Sequence, residues 1–252
     1  MKIKYAVRSD IGQVRENNED NNICLSFDAY PHILLLGAID AVGGYEGGEI
    51  AAEICKLTVE SYFEELTNLE DKDMDLELKK SMYKANNRIY SERSNNPEYS
   101  QMSCVATVVL MDIQKGSLCF THVGDSRGYI YRDDKLEKFT TDHSLVGYLE
   151  ESGRISEEDA MNHPRRNEIS KLMGGELLGY DSKYMQCGRH SFYSGDIVVL
   201  CSDGLTDLVN AAGIVSILSA DATLEDKKEL LIYAANHLGG RDNITVALAT
   251  SI

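Results

Sequence analysis

Along the chain, apolar runs of strand length alternate with segments of helical period, and three of these runs end in an aspartate. Ile33 to Ile39 (ILLLGAI) carries no charge and no polar alternation, the pattern of a strand buried on both faces, and it delivers Asp40 to the edge of the core. Gly43, Gly44, Gly47 and Gly48 follow, a turn in which backbone can approach a ligand closely, before a helix opens at about Glu49. Ser117 to Val123 (SLCFTHV) leads into Gly124 and Asp125. Asp196 to Cys201 (DIVVLC) leads into Asp203, with Asp207 one helical turn later. A final strand over Asn243 to Ala249 is entered through Gly239, Gly240, Arg241 and Asp242.

The remaining pattern fills in around these strands. Ile3 to Arg8 and Asn22 to Phe27 read as strands, with Pro31 breaking the second from the Ile33 strand. Cys104 to Asp112 forms a hairpin with Ser117 to Val123 about Ile113–Gly116, and Gly128 to Tyr131 one with Lys135 to Phe139 about Arg132–Asp134, so the sheet is antiparallel. Lys183 to His190 returns to the core. Ile50, Ile54, Leu57 and Ser61 share one face of a first helix, and Leu78, Met82, Ala85 and Ile89 one face of a second; the acidic connector Asn68 to Asp75 reads as an exposed loop. Two more helices run from Ala211 to Ser219 and from Leu224 to Leu238, the latter capped by Thr223 with Asp226. Thr140 to Gly179 is polar and short in period, with one helix capped by Ser156 and Asp159, and is a candidate flap over a site. His143 within it reads as a structural hydrogen-bonding histidine, and Arg15 and Glu19, in the Asn-rich VRENNEDN, as surface charges of a loop.

Composition narrows the class. The 252 residues, 43% hydrophobic and 26% charged, suffice for one substantial core, and a single domain over 1–252 is expected. A net charge of −16 argues against nucleic-acid or anionic-membrane partners, which need clustered Lys and Arg, and suits a carboxylate-lined cation site. The six cysteines stand singly, mostly inside apolar runs, with no CxxC pair, as expected of reduced thiols in a cytoplasmic protein. MKIKYAVRSD has no apolar leader core, and no apolar stretch approaches the ~20 residues of a membrane helix.

The aspartates then acquire a meaning together. Asp40, Asp125, Asp203 and Asp242 sit at strand ends beside glycines, and packed sheets can bring such ends to one point. Four carboxylates there would repel unless cations lay between them. Oxygen ligands without His or Cys point to Mg²⁺ or Mn²⁺, and two such ions can hold a bridging hydroxide and polarise a phosphoryl group. The pattern supports metal-assisted phosphoester chemistry and names no substrate.

The ordered motifs Arg15–Asp20 (RENNED), Asp40–Gly44 (DAVGG), Val123–Arg127 (VGDSR), Asp142–Ser144 (DHS), Cys201–Asp207 (CSDGLTD) and Gly239–Val246 (GGRDNITV) resemble the metal-dependent serine/threonine protein phosphatases of type 2C, in their compact bacterial form. The resemblance implies an α+β fold, a four-layer αββα sandwich of two packed antiparallel sheets, with a flap at about 140–173. It implies two tightly bound Mn²⁺ or Mg²⁺ ions bridged by Asp40, with Asp203 and Asp242 completing one and the Ala41 carbonyl ligating the other. A third, weaker ion would fall to Asp125, Asp203 and Asp207. Glu19 would act through metal-bound water, Asp20 would support the ligands from behind, and Arg15 would clamp the substrate phosphate. The implied reaction is direct attack of a metal-bridging water or hydroxide on phosphoserine or phosphothreonine, with substrates of a cognate Ser/Thr kinase as partners and a monomeric enzyme.

Three departures from the family pattern bear on this. Ala41 stands where Gly is usual after the bridging Asp, Val42 stands where some eukaryotic members carry a His, and Ser103, Cys104 and Val105 replace a glycine-threonine motif. The alternative class is therefore a non-catalytic regulatory pseudophosphatase on the same fold. The intact carboxylates argue for the enzyme.

Overall fold

The computed structural model describes residues 2–42 and 47–252; Gly43 and Gly44 of the predicted turn lie outside the described residues. Two antiparallel five-stranded sheets are formed. One has the order β1 (Ile3–Asp10), β10 (Ile244–Ser251), β9 (Ile197–Cys201), β6 (Arg127–Arg132), β7 (Lys135–Lys138). The other has the order β2 (Asn21–Phe27), β3 (Tyr30–Ala41), β4 (Cys104–Asp112), β5 (Ser117–Val123), β8 (Gln186–Ser191).

The two-residue period of the strands explains the layers. Leu34, Leu36 and Ala38 of β3 pack between the sheets with Val109, Phe120, Val198 and Leu200. Ile33, Leu35 and Ile39 face the other way, onto Ala52, Cys55, Leu78 and Met82 of α1 (Gly48–Glu64) and α2 (Met74–Asn95). Val199, Val246 and Leu248 likewise meet Ile214 and Leu231 of α6 (Ala211–Leu218) and α7 (Leu224–His237). The result is the expected four-layer αββα sandwich. The unbroken apolar run of β3 is what a strand with two buried faces requires.

Several local expectations need correction. The buried face of α1 is Ala51, Ala52, Cys55, Val59 and Phe63, whereas Ile50 and Ile54 are only partly buried and Leu57 is exposed. Small residues let this helix lie close to the sheet, and the larger aliphatics move to its flanks. Pro31 does not break β2 from β3 but lies inside β3, where a bulge between Ser26 and Phe27 leaves it opposite no β2 residue. The acidic connector holds a short 3₁₀ turn, Leu69–Asp71, whose Leu69 is buried, and Asp73 caps α2 by accepting from the Asp75 and Leu76 N–H groups. The β8 strand begins at Gln186, not Lys183. Both predicted capping boxes, Ser156 with Asp159 and Thr223 with Asp226, are formed.

Candidate active site

Strand register brings the aspartates to one end of the sandwich. In β3 the residue pattern Leu34, Leu36, Ala38 continues to Asp40, so this carboxylate takes the next inward position at the end of the inter-sheet layer, opposite Val105 of β4. Asp125 lies on the connection by which the chain leaves one sheet at Val123 and enters the other at Arg127. Arg127 pairs with Cys201, the last residue of β9, and Asp203 follows two residues later as the first residue of α5 (Asp203–Thr206). Val246 pairs with the same Cys201, and Asp242 lies two residues before the start of β10. Asp20 precedes β2, one residue beyond the Asn21–Ile39 pair, and so flanks Asp40.

Two glycines are fixed by close approach here. A Cβ on Gly124, whose φ is +104°, would lie 2.1 Å from a Val105 methyl. A Cβ on Gly204 would lie 1.9 Å from the Asn243 carbonyl oxygen, because α5 is pressed onto the entry to β10. Val105 belongs to the segment that departs from the family pattern, and its side chain fills the space beside the Gly124–Asp125 turn. The Ala41 departure is harmless to the backbone: Ala41 is a strand residue paired with Cys104, and the described non-glycine residues of positive φ are Asn68, Asp133 and Asp134.

The Arg15–Asp20 segment is a loop, as expected, and it is pinned by a residue to which the sequence reading gave no role. Asn243 accepts from the Glu19 N–H (2.9 Å) and donates to the carbonyls of Ile11 (3.0 Å) and Asn17 (2.9 Å). Thr245 Oγ1 donates to Asp20 (2.8 Å). The Asn-Ile-Thr run of the last motif was the available signal. The Glu19 carboxylate and the Ala41 Cβ each lie 3.1 Å from where a side chain on Gly48 would begin.

Electrostatically the carboxylates fall into two sets. Asp242 is paired with Arg15 (2.7 Å) and Asp207 with Arg166 (2.7 Å), an arginine of the 140–173 segment that the sequence reading did not single out. Asp40, Asp125 and Asp203 have no such ion pair among the described residues. Burial, and after it the charge of Asp203, raises Asp40 well above the carboxylate range; burial and then Asp125 do the same to Asp203. Burial, with Asp142 next, pushes Asp125 up to about 7, and burial takes Asp20 to about 6 against hydrogen bonds from Thr245 and Ser202. Glu19 is raised by burial and by Glu49.

The donor set fits hard divalent cations. Asp125 Oδ1 is buried without a hydrogen-bond partner among the described residues, and a cavity of about 30 Å³, room for about one ion or water, is lined by Asp125, Asp203 and Asp207 with Arg127 and Arg166 also in its wall. Among the described residues no three side chains close into a ready cage. Mg²⁺ and Mn²⁺ sites commonly complete such open sets with water and main-chain oxygen.

The segment following β7 is moored beside Asp125. His143 donates its backbone N–H to the Gly124 carbonyl (2.7 Å), and its ring Nδ1 accepts from the Gly124 N–H (3.1 Å). Its own carbonyl receives both the N–H and the hydroxyl of Ser170 at 2.7 Å. The histidine is structural, as expected. It holds α3 (Leu145–Glu151) and α4 (Glu157–Met161) against the carboxylate end, and Met173 closes the segment with an N–H to Cys104 O bond of 2.8 Å.

Two packed antiparallel sheets between helix pairs, with carboxylates gathered at one end, define a class, and residues 8–170 match the protein-family model Protein phosphatase 2C. The chain belongs to the protein phosphatase 2C family. It is 34% identical to the serine/threonine phosphatase stp of Listeria innocua over 244 residues, 96% of this chain and 93% of that protein. Its fold matches the Streptococcus agalactiae serine/threonine phosphatase with a TM-score of 0.85 at 32% identity, covering 99% and 100% of the two chains. The catalytic domain of the serine/threonine protein phosphatase PstP, solved with two manganese ions, matches at 0.80 and 28% identity, covering 98% and 97%.

Proposed function

We propose that this chain is a metal-dependent phosphoprotein phosphatase that hydrolyses phosphoserine and phosphothreonine. The observation that carries the reading is the convergence of Asp40, Asp125, Asp203 and Asp242, from separate connections of both sheets, in a chain of this family. Asp40, Asp203, Asp242 and the Ala41 carbonyl would hold two ions, Glu19 would reach them through water, and Asp125, Asp203 and Asp207 would hold a third. Bound there, Mn²⁺ or Mg²⁺ would neutralise charge on the phosphoryl oxygens and acidify the attacking water. Arg15 would orient the phosphate with its planar fork, which requires it to exchange its present partner Asp242 for substrate. Asp20, held by Thr245, fixes the strand end behind Asp40, and the 140–173 segment serves as a flap within one catalytic domain spanning 1–252. Phosphoproteins made by a Ser/Thr kinase are the partners, and a cytoplasmic monomer the working form.

The regulatory pseudophosphatase reading would lead one to expect a lost carboxylate, and all are in place. Manganese-dependent turnover of para-nitrophenyl phosphate and of a phosphothreonine peptide, abolished by chelator, is the expected result. A folded protein inert toward both at saturating Mn²⁺ would overturn the enzyme reading.

A further inference from the structure

Beside the carboxylates, a second cavity of about 150 Å³ opens between Arg166 of the flap, Leu208 beyond α5, and the turn carrying Arg241 and Asp242, with Arg15 also in its wall. It is too small for a drug-sized ligand, whose sites run to ~300 Å³ and more, but admits one side-chain-sized group. Its charges do not balance. Arg15 is taken by Asp242 and Arg166 by Asp207, while Arg241 is exposed and joins no ion pair or side-chain hydrogen bond among the described residues. A chain of net charge −16 thus presents, among its described residues, an unpaired guanidinium next to the proposed phosphate position.

The backbone beneath Arg241 is fixed. Gly239 and Gly240 take φ of +122° and +47°, the Gly240 N–H donates to Ala235 O (3.0 Å), and its carbonyl accepts from Gln13 N–H (2.8 Å). A side chain on Gly12 would lie 2.2 Å from the Asp242 carbonyl and 2.8 Å from that of Gly240, so loop and turn are in close contact. The turn holds its shape by main-chain bonds and does not need the arginine side chain.

We propose that Arg241 forms a subsite for a second anionic group on the substrate, a carboxylate or a further phosphate a few residues from the phosphoresidue being hydrolysed. The inference rests on the phosphatase reading. It makes the enzyme select acidic or multiply phosphorylated segments, with the selectivity carried by a solvent-accessible charge pair and therefore weakened by salt.

The test uses three phosphothreonine peptides that differ only in flanking residues at the second and third positions on either side: all alanine, glutamate substituted, or carrying a second phosphothreonine. Wild-type enzyme should favour the glutamate peptide over the alanine one by about two- to fivefold in kcat/KM, the scale of an exposed ion pair, through KM. Arg241→Ala should remove that ratio, Arg241→Lys should retain part of it, and Arg241→Glu should invert it, an inversion that loss of a structural contact would not produce. A larger ratio for the doubly phosphorylated peptide assigns the subsite to phosphate, an equal one to carboxylate. Turnover of all three peptides without preference, or a preference that survives Arg241→Ala, overturns the subsite and leaves the phosphatase reading standing. No turnover of any peptide at saturating Mn²⁺ overturns both.

Discussion

Replacing Asp125 by asparagine removes a charge while keeping the shape of a side chain that has a buried oxygen without a partner among the described residues. In the metal-free protein, Asp125→Asn should therefore be stabilising, and increasingly so as pH rises. The folded-state pKa of about 7 lies above the ordinary 3.8, so between these values the folded form holds a proton that the unfolded chain has released. Stability from that proton is lost as pH climbs through 7. Between pH 5.5 and 8 this amounts to about 2 kcal/mol, about half of the three-unit shift at ~1.4 kcal/mol per unit, the other half being lost below pH 5.5. His122 and His143, depressed by burial to about 3 and about 4, pull the other way, adding stability as pH rises toward 6.5. They are present in both proteins and cancel in the difference between variant and wild type, which reports Asp125 together with the relief of Asp203 and Asp40, both raised by its charge and both adding to the variant's advantage at high pH.

The assay is thermal unfolding of both proteins in chelator across that pH range. For a chain of this length the variant's advantage in Tm should grow by about 4–8 °C from pH 5.5 to 8. With saturating Mn²⁺ the advantage should vanish or reverse, since only the aspartate gains a cation, while two more tightly held ions remain detectable in the variant by calorimetry and its turnover is lowered. A difference in Tm that does not change with pH would refute the burial of an ionisable, unpartnered carboxylate at this position.

Asp40→Asn or Asp203→Asn should reduce turnover by at least about 100-fold at saturating Mn²⁺ with an unchanged circular dichroism spectrum, because each removes a charge from the ion site and relieves repulsion in the fold; near-normal rates would break the two-ion assignment. Arg15→Ala should raise KM for a phosphopeptide about tenfold with a smaller fall in kcat, as expected for a lost charge-assisted phosphate contact, and an unchanged KM would return Arg15 to a surface role. Gly204→Ala should destabilise by about 3 kcal/mol or more in chemical denaturation, since its methyl would lie 1.9 Å from a main-chain oxygen that cannot swing away; a variant of wild-type stability would show that α5 is free to move off β10.

The strands were legible because their buried faces leave continuous or alternating apolar runs: Cys104–Asp112 and Ser117–Val123 are observed with the bounds read from sequence. The face of α1 was not, because Ala51, Ala52 and Cys55 carry little hydrophobic weight and yet are the residues that admit the helix to the sheet, while Ile50 and Leu57 dominate any periodic reading. The aspartates stood out as endings of apolar runs. What the sequence could not expose is the pairing between distant loops: Asn243 bracing the segment of Glu19, and Arg166 reaching Asp207 across 41 residues, depend on tertiary approach and leave no local spacing. Val105 is intermediate, a departure without meaning until register placed it across from Gly124.

Those distant pairs also explain how a fold with so many facing carboxylates stands without collapsing its own site. Asp242 and Asp207, at the rim with side chains 33% and 28% exposed, each receive a guanidinium from a loop, so their charge is balanced by the protein itself. Asp125, more deeply buried, receives none among the described residues, and Arg127, the nearest cation in sequence, is bound to Asp142 and Glu150. Strand geometry prevents a remedy, because Asp40, Asp125 and Asp203 are held by the ends of β3, β5 and β9 and cannot separate without breaking register. A proton or a cation would supply the missing charge there, and at neutral pH a cation would do so without sacrificing the negative oxygens. The division between arginine-matched and unmatched carboxylates is therefore one between ligands whose charge the protein balances before an ion arrives and ligands whose charge it leaves unbalanced. It makes Asp242 the junction between the two sets, since the same carboxylate that answers Arg15 also acts on Asp40 and Asp203, and on the proposed reading its release of Arg15 would free the guanidinium to face a phosphate.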